Sequence, residues 1–329
     1  MKNEHVSGRG SRNVALDYTK GMLVVCMILY HWLNYFVSAP AELYRYLRFI
    51  TPSFIFISGF IIGHVYLSKY ECSDYRMHAR LLQRGFRLLL LFTALNVIGI
   101  LLLNDPKITL ESYLQNALAI YVTGARNEAF FWILVPIGYV FIVSPILLYP
   151  CRWYARFLEL VCIALTIAVI ALDYSGNLSS NLGLITFGLL GIMIGRLPIE
   201  RINELAKYTL IVALCYGCYL VAISIWGATL SLQIVGVCIS LLFLYVLATR
   251  VREDSPLARR VVLLGKYSLV GYICHIGLLQ ILKRTAAYNG RVVVSLALTI
   301  VCTWLIVEAL DRLRSQFAWT DKAYKAVFG

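Results

Sequence analysis

The chain contains ten stretches that are long and apolar enough to cross a lipid bilayer as helices. About 20 consecutive apolar residues span the hydrocarbon core, where only helices and closed barrels satisfy their own backbone hydrogen bonds. The stretches are 17–37, 47–67, 87–104, 129–149, 157–173, 181–196, 207–226, 229–249, 263–283 and 291–310. They predict an all-α, polytopic integral membrane bundle. One transmembrane domain, 17–310, would lie between a terminal segment at 1–16 and a tail at 311–329.

The composition excludes a soluble globular protein. Of the 329 residues, 60% are hydrophobic and 14% are charged, whereas about 25% of the residues in a soluble domain are charged. The net charge of +13 would suggest nucleic acid in a soluble protein. Here, with both termini in the cytoplasm, 22 of the 30 Lys and Arg residues fall in cytoplasmic segments and seven in outer ones, as the positive-inside rule expects. We therefore expect a plasma (inner) membrane protein that contacts lipid, has cytoplasmic termini and binds no nucleic acid.

The first span carries ionisable residues, which are costly in lipid and are therefore functional candidates. At 100° per residue, Lys20 and His31 lie within about 20° of each other, and Asp17 lies on the same side. The helical rise separates Lys20 from His31 by about 16 Å. This pattern predicts one polar stripe that faces the bundle interior, extended by Asn34. The alternative is that Lys20 only pairs with Asp17 at the membrane surface, while His31 packs between helices.

Four arginines precede the third span at helical spacing: Arg76, Arg80, Arg84 and Arg87. They fall within an arc of about 80° on one helix face. Guanidinium groups bind phosphates through paired hydrogen bonds. The run is therefore a candidate clamp for a donor that carries several phosphates, such as coenzyme A. Anchoring to anionic lipid is the alternative.

A third polar cluster lies in the ninth predicted span. Ser268, Tyr272 and His275 follow one another at i, i+4 and i+7 on one helix face. His275 should lie at a membrane depth comparable with that of His31, although a purely structural histidine is the alternative. Glu308 lies near the inner end of the last span, where pairing with an arginine is the alternative. The histidines show no metal-ligand spacing, so no metal is expected.

Several of these features together resemble a known family. Lys20, followed after ten residues by His31, resembles the signature of the acyltransferase-3 family of integral membrane proteins. PSFIFISGF in the second span, the arginine-rich start of the third, FFWILVPI in the fourth and LGKYSLVGYICH near the end agree with it. The second span and the tail are also similar to glucan succinyltransferases and to heparan-α-glucosaminide N-acetyltransferases. The sequence does not rank the three.

The resemblance implies transmembrane acyl transfer. An acyl group, expected to be acetyl, would move from cytoplasmic acyl-CoA to a hydroxyl or amine of an extracytoplasmic carbohydrate. His31 would be the catalytic histidine and Lys20 its motif partner. Arg84 and Arg87 match the family's arginine pair, and Glu308 is the candidate for its acidic residue in the last span.

The remaining candidates and one other function stay open. Asp17, His275 and Tyr272 are kept as catalytic candidates, and Arg76 and Arg80 as further donor-binding candidates. The alternative function is a transporter or exporter of a polar or lipid-linked small molecule. It shares the spans and the buried ionisable groups, but it gives no reason for an arginine clamp at one end of a helix.

Overall fold

The computed structural model describes residues 13–103, 109–124, 129–252, 254–284 and 292–328, and every regular element in these ranges is helical. The all-α prediction is therefore confirmed. Residues 1–12 of the predicted N-terminal segment lie outside the described residues. Residue 104, the predicted end of the third span, and residue 291, the predicted start of the tenth, also lie outside them.

Eight α-helices form the first half of the described chain. They are α1 (Val14–Trp32), α2 (Ala41–Arg45), α3 (Ile50–Ile61), α4 (Tyr75–Leu103), α5 (Leu110–Gln115), α6 (Leu134–Leu148), α7 (Phe157–Tyr174) and α8 (Ser180–Gly195). Single π-helical turns continue two of them, α1 at Leu33–Val37 and α3 at Ile62–Tyr66. With these turns, the first candidate membrane span runs from Val14 to Val37, and α2 and α3 together form the second, Ala41–Tyr66.

Seven α-helices form the second half. They are α9 (Ile199–Leu205), α10 (Thr209–Trp226), α11 (Leu230–Arg250), α12 (Pro256–Lys266), α13 (Ser268–Arg284), α14 (Val292–Gln316) and α15 (Ala318–Phe328). Helix α1 is central to the packing, because α3, α11, α12, α13 and α14 all contact it.

Eight segments in the described ranges are long and apolar enough to cross a membrane. They correspond to all the predicted spans except the sixth and the ninth. The sixth is α8, a shorter apolar helix that packs against α3, α6 and α7. Helix α4 begins at Tyr75, so the arginine run belongs to the helix of the third span itself.

The ninth predicted span, 263–283, is wrong as a single straight helix. The chain bends by 92° between α12 and α13. Helix α12 is amphipathic, with Arg259, Arg260 and Lys266 alternating with the buried Val261 and Leu264. The polar residues Lys266 and Ser268 flank the break, but no proline marks it, and helix-period patterning alone gives no sign of the bend.

Glycines bring helix backbones almost into contact at two crossings. A Cβ added to Gly265 of α12 would lie 1.7 Å from the backbone oxygen of Asp17 in α1. A Cβ on Gly191 of α8 would lie 2.0 Å from the backbone oxygen of Phe56 in α3. Small residues permit such close approach of helices that pack without a hydrophobic driving force. The crossing of α1 with α12 holds the start of α1 beside the bend.

We expect Gly191→Ala to destabilise the fold, because the new methyl group overlaps the α3 backbone. Overpacking of this kind costs about 1–3 kcal/mol. The matched control is Gly217→Ala on α10, where nothing lies within 4 Å of the added Cβ. Thermal unfolding in detergent measures both. Equal midpoints for the two variants would contradict the tight α3–α8 crossing.

Candidate active site

A cavity of about 150 Å³ lies at the end of the bundle where α1 and α4 begin, which we term the basic end. Lys20 of α1, Arg84 of α4 and Lys266 of α12 reach this cavity, and no Asp or Glu is among the described residues that line it. Apolar side chains of α3 and α6 form its walls, and Tyr272 of α13 also lines it. We call it the cationic cavity.

Lys20 both lines the cavity and forms an ion pair. Its Nζ lies 2.6 Å from Oδ1 of Asp17, and the two side chains are 16% and 7% exposed. The pairing expected as an alternative is therefore present, but it lies inside the bundle. A counter-charge at this distance allows an ammonium group to stay buried.

The arginine run divides into two parts. Arg84 Nη1 donates to the Tyr66 hydroxyl at 3.3 Å, and its guanidinium stacks 4.9 Å over the Phe141 ring beside the cavity. Arg87 Nη1 donates to the backbone oxygen of Lys325 in α15 at 3.1 Å. Of the two arginines with the family's spacing, Arg84 lines the cavity, whereas Arg87 does not line it and contacts α15.

The other two arginines lie on the exposed first turns of α4. Arg76 lies 5.9 Å from the centroid of the Tyr75 ring on its own helix. Arg80 hydrogen-bonds the Tyr70 hydroxyl and lies 5.4 Å over that ring. Neither lines the cationic cavity.

Two histidines meet beyond the inner wall of the cavity. The Tyr272 ring lies 5.7 Å from the ring of His275, which in turn lies 5.4 Å from the ring of His31. His275 is fully buried, and its Nδ1 donates to the backbone oxygen of Gly271 at 2.9 Å. Since a carbonyl only accepts, Nδ1 carries the proton, and the lone pair of the neutral ring is on Nε2.

Each histidine has one ring nitrogen that forms no hydrogen bond with the described residues. His31 Nδ1 and His275 Nε2 are buried and have no hydrogen-bond partner among the described residues. Leaving a buried polar atom unpaired costs about 1–3 kcal/mol. A histidine that served only helix packing would be expected to have its partners in place. The two nitrogens therefore retain a hydrogen-bonding capacity that the described residues do not use.

The polar stripe predicted on the first helix ends at His31. Tyr30 and Tyr35 flank the His31 ring, with centroids 5.2 Å and 5.7 Å away. Asn34 is exposed, and its predicted place on the stripe is wrong. The π-helical turn that starts at Leu33 changes the angle per residue, so 100° arithmetic no longer applies there.

Glu308 lies apart from the histidines. It pairs with Arg312 one turn further along α14 and does not line the cationic cavity. Besides Asp17, a second carboxylate pairs with a lysine of the cavity, that of Asp311. Its Oδ1 is 2.5 Å from Lys266 Nζ and accepts a hydrogen bond from the Tyr267 hydroxyl at 2.7 Å.

Sequence reasoning missed three residues of this cavity: Lys266, Tyr324 and Phe328. Lys266 stands in LGKYSLVGYICH, where the charge pattern indicates only a cytoplasmic basic residue. Tyr324 and Phe328 belong to α15, within the segment read as a tail. Burial raises the pKa of the Tyr324 hydroxyl, and the nearby Arg314 and Arg84 act in the opposite direction.

A larger cavity of about 690 Å³ lies on another side of α1. Tyr18, His64, Tyr245 and Arg250 are among its lining residues. It contains neither member of the histidine pair and none of the predicted catalytic residues. The candidate chemistry is therefore confined to the smaller, cationic cavity and the histidines next to it.

A family model described as an acyltransferase domain matches residues 13–308. The match begins just before α1 and ends within α14, so it includes both histidines and the arginine run but not α15. Comparisons with curated proteins and with solved structures found no significant match.

Removing one member of the buried Asp17–Lys20 pair should cost more than removing both. Asp17→Asn leaves the Lys20 charge without its carboxylate, and breaking a buried pair in this way costs about 3–5 kcal/mol. Lys20→Met in the same chain removes the uncompensated charge. We expect the double variant to unfold at a higher temperature than Asp17→Asn alone. Additive losses in a double-mutant thermal unfolding cycle would show that the pair is not coupled.

Proposed function

The chain belongs to the acyltransferase-3 family of membrane acyltransferases, and from this premise we propose that it transfers an acyl group from cytoplasmic acyl-CoA to an extracytoplasmic carbohydrate. Acetyl is the expected group, and a hydroxyl or amine is the expected acceptor. The observation that carries the proposal is the junction, through Tyr272, of a cationic cavity with a contacting pair of histidines, of which His275 is fully buried.

The cavity has the chemistry that a phosphorylated thioester requires. Arg84 and Lys266 would hold phosphate oxygens through charge-assisted hydrogen bonds. The apolar walls from α3 and α6 would enclose the uncharged arm of the donor. Lys20 and Lys266 each have a carboxylate partner, Asp17 and Asp311. We assign Lys20 to holding the cavity end of α1, and Lys266 would exchange Asp311 for a phosphate oxygen when the donor binds.

The histidines would perform the transfer in one of two ways. In direct transfer, a histidine nitrogen takes the proton of the acceptor hydroxyl. The oxygen then attacks the thioester carbonyl, and the C–S bond breaks to release the CoA thiolate. In covalent transfer, a histidine nitrogen attacks the carbonyl first and forms an acyl-histidine, and the acceptor then takes the acyl group. Both routes end with the proton on the CoA sulfur.

We assign the reacting nitrogen to His31 and a supporting role to His275. His31 occupies the motif position of the family and belongs to the central helix α1. The Gly271 carbonyl fixes the tautomer of His275, which lies between Tyr272 and His31. His275 would therefore accept a proton at Nε2 without losing its structural hydrogen bond.

The distribution of basic residues supports a cytoplasmic basic end. With that orientation the 22 basic residues of the inner segments outnumber the seven of the outer ones. Both termini would then be cytoplasmic, in the plasma (inner) membrane. Acyl-CoA would reach the cationic cavity directly from the cytoplasm. The family assignment favours this enzyme over an exporter with the same spans.

His31→Gln should abolish most acyl-CoA turnover. Loss of a positioned proton-transfer group lowers rates by about 10²–10⁴-fold. Purified protein in liposomes would receive radiolabelled acetyl-CoA or succinyl-CoA, with CoA release and label on protein or added glycan as readouts. Label that stays on the wild-type protein indicates the covalent route.

The matched control for this experiment is His64→Gln, since His64 lines the other cavity. We expect it to turn over acyl-CoA like the wild type, and we expect His275→Gln to lose activity. If His31→Gln released CoA at the wild-type rate, the catalytic assignment would be wrong. Folded wild-type protein that neither binds nor hydrolyses acyl-CoA would contradict the enzyme proposal and favour the exporter.

Arg84→Ala should weaken donor binding while leaving the chemical step largely intact. A hydrogen bond to a charged group contributes about 1.5–3 kcal/mol, so the KM for acyl-CoA should rise about tenfold or more. Arg76→Ala serves as the control, because Arg76 is exposed and lies away from the cavity. Steady-state kinetics over a range of acyl-CoA concentrations measure both. An unchanged KM for Arg84→Ala would contradict the assignment of Arg84 to donor binding.

A further inference from the structure

Helix α15 closes the basic end of the cationic cavity. Tyr324 and Phe328, one turn apart on α15, both line the cavity. They also pack against the buried cluster formed by Leu264, Tyr267, Val270 and Val307 at the bend between α12 and α13. The closing contact is therefore made by aromatic side chains that turn inward from the last helix.

The start of α15 is fastened to the end of α14. Arg314 Nε lies 3.0 Å from Oδ1 of Asp321, and its guanidinium stacks 3.8 Å over the Tyr324 ring. Arg314 Nη1 also donates to the Tyr267 hydroxyl at 3.1 Å. Phe317 is the only residue between the two helices. Together these contacts hold the start of α15 against the end of α14 beside the cavity.

The other end of α15 points at the arginine run. The backbone oxygen of Lys325, which accepts from Arg87, belongs to the last turn of the helix. The last four carbonyls of a helix have no intrahelical partner, and they carry the negative end of the helix dipole. Arg84 is near enough to Tyr324 to act on its titration. The carbonyl end of α15 thus occupies the position that an anion would take.

We propose that α15 is a lid over the donor site, which a phosphate of the donor displaces from Arg87. The inference rests on the proposed function, because it takes the phosphorylated donor to be acyl-CoA. With the lid shut, Tyr324 and Phe328 fill the mouth of the cavity. The carbonyl end of α15, through the backbone oxygen of Lys325, then accepts the hydrogen bond from Arg87. Donor binding exchanges those carbonyls for phosphate oxygens and moves the aromatic pair out of the mouth.

A lid of this kind lowers the apparent affinity for the donor. The observed Kd equals the intrinsic Kd divided by the fraction of molecules with the lid open. Any change that loosens α15 therefore tightens donor binding. If Tyr324 and Phe328 were instead a permanent wall that the donor needs, the same changes would weaken binding. The sign of the effect separates the two roles.

The test measures binding of S-methyl-CoA, a thioether that cannot transfer an acyl group, to the full chain in detergent. Phe328→Ala removes a cavity contact without changing charge, and Asp321→Asn removes the carboxylate that fastens Arg314. We expect each to lower Kd about three- to tenfold. Trp319→Ala on the same helix is the control, since Trp319 is 69% exposed, and its Kd should equal that of the wild type.

Hydrogen exchange provides a second readout on the wild-type protein. Amides of α15 should exchange faster when S-methyl-CoA is bound, since the donor opens the lid. A raised or unchanged Kd in Phe328→Ala, or slower exchange of α15 with ligand, overturns the lid. Failure of the donor assignment gives a different pattern. In that case wild-type protein and Arg84→Ala bind the thioether equally or not at all, and both proposals are wrong.

Discussion

The crossing of α1 with α12 is the contact on which the rest of the site depends. Because Gly265 has no side chain, the two backbones approach until α12 presses against the carbonyl of Asp17. This contact fixes the position of the Asp17–Lys20 pair relative to α12, and it brings Lys266 to the cavity that Lys20 lines. The chain then turns, and α13 packs along α1 with His275 beside His31.

Much of this arrangement followed from the order of residues along single helices. The angular match of Lys20 and His31 was computed along a straight helix, and α1 is regular over both positions. The i, i+4, i+7 pattern placed Tyr272 and His275 on one face, and their rings lie 5.7 Å apart. The equal depths expected for His31 and His275 agree with their contact. Periodicity is informative here because helix geometry relates these residues directly.

The features that escaped prediction depend on contacts between distant parts of the chain. The bend at Tyr267 lies between two helical segments without a proline at the break, and α12 packs against α1 on one side of it. The four arginines share one helix face, but Arg87 contacts α15 and Arg76 does not, and this difference follows from where α15 packs. Lys266 and Asp311 are 45 positions apart and meet only through the α12–α14 contact. No local pattern records such pairings.

The contact between His31 and His275 also has an electrical consequence for the proposed reaction. The acceptor loses a hydrogen on one side of the membrane, and the CoA sulfur gains one on the other. Turnover is electrically neutral only where that proton travels inward as the acyl group travels outward. In the proposed reaction the two adjacent imidazoles, each with a ring nitrogen that forms no hydrogen bond with the described residues, would pass that proton from the acceptor towards the thiolate. Without such a path every turnover would move one elementary charge, and the membrane potential would add or remove about 2.3 kcal/mol per 100 mV. Under the proposed function, the histidine pair would thus keep the energetics of acylation independent of the voltage across the membrane.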